Sequence, residues 1–206
     1  MIKVFGIPHD PTASNYSAKI ILNARPSVVC VELHPSVLDD LIAVMKLTTR
    51  TPEEEEFYRA EAGDGIVAII ESAWKVGAEI YGLEPEKGYT IYKSDYKTGI
   101  EGKFWNFVEK SWGVVAGYID RKGESNPDMY QSSFWAPKIE DIRRWIWKHQ
   151  CFPAYKRVSL DREKAYASRL IALQAQKGEE MKIFFFVGGG HKWNTLKEIQ
   201  DLGSHG

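Results

Sequence analysis

The chain has 206 residues, of which 44% are hydrophobic and 27% are charged, and its formal net charge is −1. This length suits one domain with a sizeable core, and the near-neutral charge excludes a disordered chain or a protein that coats nucleic acid. No apolar run approaches the roughly 20 residues of a membrane-spanning helix, and the first residues lack the basic and apolar regions of a signal peptide. We therefore expect a soluble, cytoplasmic protein without a membrane span.

Strand-like and helix-like segments alternate along the first part of the chain. The predicted elements are a strand at 1–5 ended by Gly6 and Pro8, a helix at 14–25, a central strand at 27–33, helices opened by Pro35 and by a capping box at Thr51, Pro52 and Glu54, a helix with the apolar stripe Ile66, Ile69, Ile70, Ala73 and Trp74, and a strand at 78–83. This alternation predicts an α/β fold with a largely parallel or mixed sheet flanked by helices.

The segment from Gly88 to Tyr155 has a different character, because most of the tryptophans lie there. We predict one α/β domain over residues 1–203, with 88–155 as an inserted helical subregion. Its tryptophans Trp105, Trp112, Trp145 and Trp147 suit a core better than a substrate groove, and exposed parts of the segment could support a homodimer.

The last part of the chain returns to the alternation. A helix capped by Ser159 runs to Gln176, a strand covers 181–187, and a helix covers Thr195 to Leu202. Residues 204–206 resemble a cloning remnant. The two cysteines, Cys30 and Cys151, are far apart in sequence, which predicts free thiols and a reducing compartment.

Four candidate site residues follow predicted strands: His9, Glu32, Glu84 and His191. The carboxyl ends of parallel strands meet at one edge of a sheet, where α/β proteins bind their ligands. Two histidines and a carboxylate are a common ligand set for a catalytic divalent metal, which activates a bound water. His9, His191 and Glu32 are therefore predicted metal ligands, with Glu32 as the alternative general base.

Glycines precede both histidines, in FGIPH and in FFFVGGGHKWN. A turn without Cβ atoms lets a substrate or metal approach the backbone, so Gly6, Gly188, Gly189 and Gly190 are predicted substrate-binding positions. The glycine run could instead be a helix-entry turn or a phosphate cradle. Each histidine could equally be an ordinary turn residue.

Several other polar residues have two interpretations. Glu32 could be neutralised by a lysine or arginine, because an unpaired buried carboxylate is costly. His34 precedes Pro35 and is predicted to cap the helix. Asp10 and Asp161 are candidate further ligands or groups that orient a histidine. Arg162 is a candidate binder of a carboxylate or oxyanion, or else a solvated side chain.

Taken together, five stretches resemble the TraB/PrgY family, within the broader TIKI, GumN, ChaN and erythromycin-esterase-like superfamily. They are FGIPH, RPSVVCVELHPSVLDDL, IVAIIESAWKVGAEIYGLEPEKG, SLDREKAYASRL and FFFVGGGHKWNTLKEI, about two-thirds of the chain. The chain departs from that pattern with GIPH in place of GTAH, and with Glu84 and Pro85 in place of an aspartate–arginine pair. The two Gly-x-x-His units also suggest a pseudo-twofold core.

The resemblance implies a function. TIKI-like members imply a metal-dependent peptidase in which Gly6, His9, Glu32, Gly188 and His191 match the signature residues, with Mn, Co or Zn as the metal. Erythromycin-esterase-like relatives imply that a related His/Glu set can assist ester hydrolysis without a metal. A non-catalytic protein that binds a peptide, or haem as ChaN-like proteins do, is the third expectation.

Overall fold

The computed structural model describes residues 1–7, 12–61, 65–85, 160–188 and 191–204, together with the single residues 103, 107 and 141. The chain forms two compact units. One comprises Met1–Lys87 and Arg169–Gly188, and the other comprises Gly88–Ser168 and Gly189–Gly206. The helices predicted between 88 and 155 lie outside the described residues, and the single domain with an inserted subregion stays a prediction.

Four strands and six helices make up the described residues. In chain order they are β1 (Ile2–Ile7), α1 (Thr12–Ala24), β2 (Val28–Val31), α2 (Pro35–Met45), α3 (Pro52–Glu61), α4 (Ile66–Val76), β3 (Glu79–Gly82), α5 (Arg162–Lys177), β4 (Ile183–Gly188) and α6 (Lys192–Gly203). The sheet has the order β1-β4-β2-β3, and every pairing is parallel. The predicted α/β fold is confirmed. Over the described ranges, no helix combines the length and the apolar character that crossing a bilayer requires.

Both faces of the sheet are buried, which explains why its strands read as apolar runs rather than as alternating patterns. On one face Val29, Val31, Phe184 and Phe186 share a hydrophobic cluster with residues of α1, α2 and α4. The other face carries Val28, Cys30, Ile183, Phe185 and Val187, which are fully buried. Cys30 is a free thiol, as predicted, and burial raises its pKa, so it is chemically inert.

The second half of helix α5, from Arg169 onward, lies on the Cys30 face and runs antiparallel to the strands. The ammonium of Lys177 is 5.6 Å from the ring centroid of Tyr81, whose backbone is in register with Cys30. At the opposite end of the strands, Arg169 donates to the carbonyl oxygens of the two residues that follow β3, at 3.1 Å each. These contacts tie the second half of α5 to the β3 side of the sheet.

The predicted helix signals are largely confirmed. The backbone N–H of Thr51 donates to the Glu54 carboxylate at 2.7 Å, and the N–H of Glu54 donates to the Thr51 hydroxyl at 3.2 Å, which is the expected capping box. The apolar stripe of α4 is right except at Trp74, which is 40% exposed. The buried side of α4 includes Ser72 instead, and α4 packs against α1.

Strand β3 ends at a glycine for a steric reason. A Cβ at Gly82 would lie 2.5 Å from the carbonyl oxygen of Leu33, and 3.1 Å from the carbonyl carbon of His34 and from the nitrogen of Pro35. All three are backbone atoms, and the Leu33 carbonyl already accepts a hydrogen bond from the N–H of Glu84 at 2.9 Å. The segment after β2 therefore cannot move aside cheaply for a side chain.

We expect Gly82→Ala to lower the free energy of unfolding by about 1–3 kcal/mol, the usual cost of overpacking. The measurement is urea denaturation followed by circular dichroism. Gly203→Ala is the matched control, because a Cβ there meets nothing within 4 Å. An equal loss of stability in both variants would contradict the steric argument.

Candidate functional site

The strands that precede the predicted site residues are neighbours in the sheet. β1 precedes His9, β4 precedes His191 and β2 precedes Glu32, and β4 lies between β1 and β2. The predicted grouping of His9, Glu32 and His191 depends on these strands being neighbours, and the grouping itself stays a prediction. His9 itself lies outside the described residues, as do Asp10, Gly189 and Gly190, so their roles stay predictions.

The first glycine of each Gly-x-x-His unit lies inside a strand. Gly6 pairs with Val187 and Gly188 pairs with Ile7, one register step apart in the β1–β4 ladder. The prediction that Gly6 ends the first strand is therefore wrong. Strand β1 continues through it because β4 offers a partner as far as Gly188.

Glu32 follows β2 and bonds to the neighbouring strand. Its Oε2 accepts a hydrogen bond from the backbone N–H of Gly188 at 2.7 Å. The registered β2–β4 pairing ends at Val31 and Phe186, so the carboxylate extends the contact between these strands by a side-chain bond. The sequence left open whether a cation or hydrogen bonds stabilise the Glu32 carboxylate. At Oε2 the structure shows a hydrogen bond.

Two further predicted residues have structural contacts. Glu84 is buried, and its carbonyl oxygen accepts a hydrogen bond from Arg169 at 3.1 Å. His34 is the N-cap of α2, where its Nδ1 accepts from the backbone N–H of Ser36 at 3.3 Å, as predicted. Neither contact assigns a substrate-binding role to Glu84, which stays a prediction.

His191 is held at the start of α6. It is the N-cap residue, and its carbonyl oxygen accepts from the backbone N–H of Thr195 at 3.0 Å and from the Thr195 hydroxyl at 2.8 Å. These two bonds fix the backbone from which the imidazole projects. The side chain of His191 keeps 17% of its surface exposed, so solvent reaches it.

The first turn of α5 contacts both nitrogens of the imidazole. Nδ1 of His191 lies 3.0 Å from Oε1 of Glu163, whose side chain is fully buried. Nε2 lies 3.3 Å from a guanidinium nitrogen of Arg162, which is only 4% exposed. The ring of Tyr166, one turn further along α5, meets the imidazole edge-on with centroids 6.4 Å apart.

These contacts define the tautomer of His191. A guanidinium has N–H donors and no acceptor, so the nitrogen facing Arg162 must accept. A neutral imidazole has one protonated nitrogen, so Nδ1 carries the proton and donates it to the Glu163 carboxylate. The lone pair of Nε2 then points at Arg162. The guanidinium itself lies over Tyr166, with 5.5 Å from its central carbon to the ring centroid.

Glu163 is the site residue that the sequence interpretation missed. Asp161, one of the two acids predicted as further ligands or as groups that orient a histidine, is exposed, and it is Glu163 that contacts Nδ1 of His191. The spacing of residues along α5 could have indicated that Glu163 is buried. Glu163, Tyr166 and Leu170 follow one another at i, i+3 and i+7, so the apolar stripe of α5 extends back to the acid.

The contact at Nε2 of His191 would have to change before this histidine could bind a divalent metal. Nε2 of His191, the nitrogen that would bind the ion, accepts from the positively charged Arg162 at 3.3 Å. Among the residues that the structure describes, no three His, Cys, Asp or Glu side chains are grouped as a metal site. The predicted set includes His9, which is not described, so the metal remains a prediction to be tested.

Lys192 follows His191 and is also buried, at 5% exposure. Burial lowers its pKa to about 8, because removing the ammonium from water disfavours the charged form. The charged lysine therefore costs stability below pH 8. That cost is relieved as the pH rises from about 8, where the folded protein loses the proton, toward 10.5, where the unfolded chain does.

We expect the stability of the wild-type protein relative to Lys192→Met to rise by about 2–3 kcal/mol between pH 7 and pH 10. Urea unfolding of both proteins at the two pH values measures this difference. Lys164→Met, at an exposed position of α5, controls for the loss of one positive charge. Parallel pH curves for wild type and Lys192→Met would contradict the expectation.

The fold and the site define an α/β protein with a histidine held between a carboxylate and a guanidinium. No protein-family model, no curated protein and no solved structure matches the chain.

Proposed function

We propose that this protein is a hydrolase in which His191 is the general base that activates water. The observation that supports this most directly is the ordered contact of Glu163 with Nδ1, which leaves Nε2 as the accepting nitrogen. A buried carboxylate behind a histidine holds the ring in the tautomer that a general base needs. The resemblance to TraB/PrgY proteins supports a peptide or an ester as the substrate.

In the proposed reaction Nε2 takes a proton from a water molecule, and the water oxygen bonds to the carbonyl carbon of the substrate. The bond from that carbon to the leaving nitrogen or oxygen then breaks. The proton on Nε2 passes to the leaving group, so one water is split across the bond.

The test is hydrolysis of a library of short peptides and esters by protein treated with a chelator. We expect His191→Ala to lower kcat/KM by about 10²- to 10⁴-fold, the usual contribution of a general base. His34→Asn is the matched control, because asparagine keeps the N-cap of α2 while another histidine is removed. Equal rates for wild type and His191→Ala would refute the proposal.

A metal-dependent peptidase is the second candidate, and one observation favours it. Histidines that bind metals through one nitrogen commonly donate the other N–H to a carboxylate, as His191 does to Glu163. His9 and Glu32 would complete the set, and the ion would lower the pKa of a bound water. This candidate requires Arg162 to leave Nε2.

Metal analysis separates the two candidates. Protein purified without a nickel column would contain a stoichiometric metal that both His9→Ala and His191→Ala remove, if the second candidate is right. Activity restored to chelated protein by Mn, Co or Zn would support the same conclusion. Full activity of metal-free protein would leave the general-base mechanism as the correct one.

A further inference from the structure

Nε2 of His191, the nitrogen proposed above as the general base, is blocked by the side chain of Arg162. Nε2 can take a proton from water only with its lone pair, and that lone pair accepts an N–H of Arg162 at 3.3 Å. A separation of 3.3 Å is at the long end for a hydrogen bond between two nitrogens, so the contact is a weak one. Water activation therefore requires a group that draws the guanidinium off Nε2.

An oxyanion is the group best suited to do this. A guanidinium presents its N–H donors in one plane, which matches two oxygens of a carboxylate, and such charge-assisted bonds are about twice as strong as neutral ones. A neutral imidazole binds a guanidinium more weakly than a carboxylate does. Arg162 is almost fully buried and lies over Tyr166, so a carboxylate bound to it stays close to His191.

We propose that the substrate carries a carboxylate next to the bond that is cleaved, and that Arg162 binds this carboxylate and thereby releases Nε2 of His191. This inference rests on the proposed function and specifies its substrate class. Arg162 then has two roles: it binds anionic substrates in preference to neutral ones, and in their absence it blocks Nε2 of His191. With a neutral substrate, Nε2 stays blocked.

The experiment uses two matched libraries of N-acetylated dipeptides, one with a free carboxyl terminus and one ending in a carboxamide. We expect the wild-type protein to cleave the free-carboxylate peptides with a kcat/KM about 10- to 100-fold higher, the value of a charge-assisted bond. Arg162→Gln should lose this preference, so that its kcat/KM values for the two libraries become equal. Lys164→Gln, which removes a charge from the same turn, should behave as the wild type.

Two results would overturn the inference while leaving the proposed function intact. One is a wild-type protein that cleaves both libraries equally well. The other is an Arg162→Gln protein that is folded and loses activity on both libraries by the same factor. Absence of hydrolysis in every library, esters included, would instead refute the proposed function.

A second measurement does not depend on the folding of the variant. Acetylalanine, which has the carboxylate, should change the ¹⁵N resonance of His191 Nε2 in the wild-type protein, because Arg162 leaves that nitrogen. Acetylalaninamide, which lacks the carboxylate, should not. If both compounds changed the Nε2 resonance equally, the carboxylate would not be the group that draws Arg162 away from His191.

Discussion

Replacing Glu163 with glutamine is expected to lower the turnover number of the proposed hydrolysis by about 10²- to 10⁴-fold, the range associated with general-base catalysis. The glutamine has nearly the shape of the glutamate, and its amide oxygen can still accept the N–H at Nδ1 of His191. It lacks the negative charge that stabilises the ring once Nε2 has taken a proton from water. The fold is retained because the buried volume hardly changes.

Nuclear magnetic resonance of ¹⁵N-labelled histidine checks the cause directly. In the wild-type protein the Nδ1 signal of His191 should be that of a protonated nitrogen, and its chemical shift should change in Glu163→Gln because the charged acceptor is gone. Asp161→Asn makes the same chemical change two positions earlier, at an exposed residue. If the two variants had equal activity, Glu163 would not be acting through His191.

Replacing Glu32 with alanine is expected to lower the free energy of unfolding by about 1.5–3 kcal/mol, the contribution of a hydrogen bond to a charged group. The N–H of Gly188, which donates to the carboxylate at 2.7 Å, loses its acceptor in this variant. Glu32→Gln should recover most of the loss, because the amide oxygen can accept the same N–H. Urea denaturation of the three proteins measures both effects.

The glutamine variant also separates the roles predicted for Glu32. An amide can hold the N–H of Gly188, but it cannot take a proton from water and it is a poor ligand for a divalent metal. Near wild-type activity in Glu32→Gln would show that the acid positions the start of the glycine run. A folded Glu32→Gln protein without activity would show that it is the base or a metal ligand.

The architecture was predictable to a useful degree. Apolar runs separated by amphipathic segments indicated parallel strands joined by helices, and the structure confirms an α/β fold. Local signals such as the capping box at Thr51 worked because they depend on a few adjacent residues. The end of β1 was mispredicted, since whether a strand passes through Gly6 depends on the partner that β4 supplies.

The candidate site was less predictable, because its contacts join distant positions. His191 and Glu163 are 28 residues apart, and only the tertiary fold turns them toward each other. Asp161 and Glu163 are both acids near the start of α5. Only the spacing of the buried residues along the helix shows that Glu163, and not Asp161, lies on the buried side. The Arg162 contact with Nε2 is a matter of side-chain geometry, which no periodicity encodes.

The strand order has a consequence for synthesis of the chain on the ribosome. Among the described strands β1 has β4 as its only partner, and Ile2 pairs with Ile183. Strand β1 therefore cannot pair until the distant segment that carries β4 has been translated, and such long-range pairings fold slowly. Until then its apolar edge is open to mispairing with other nascent chains, which makes chaperone demand during translation an expected property of this topology.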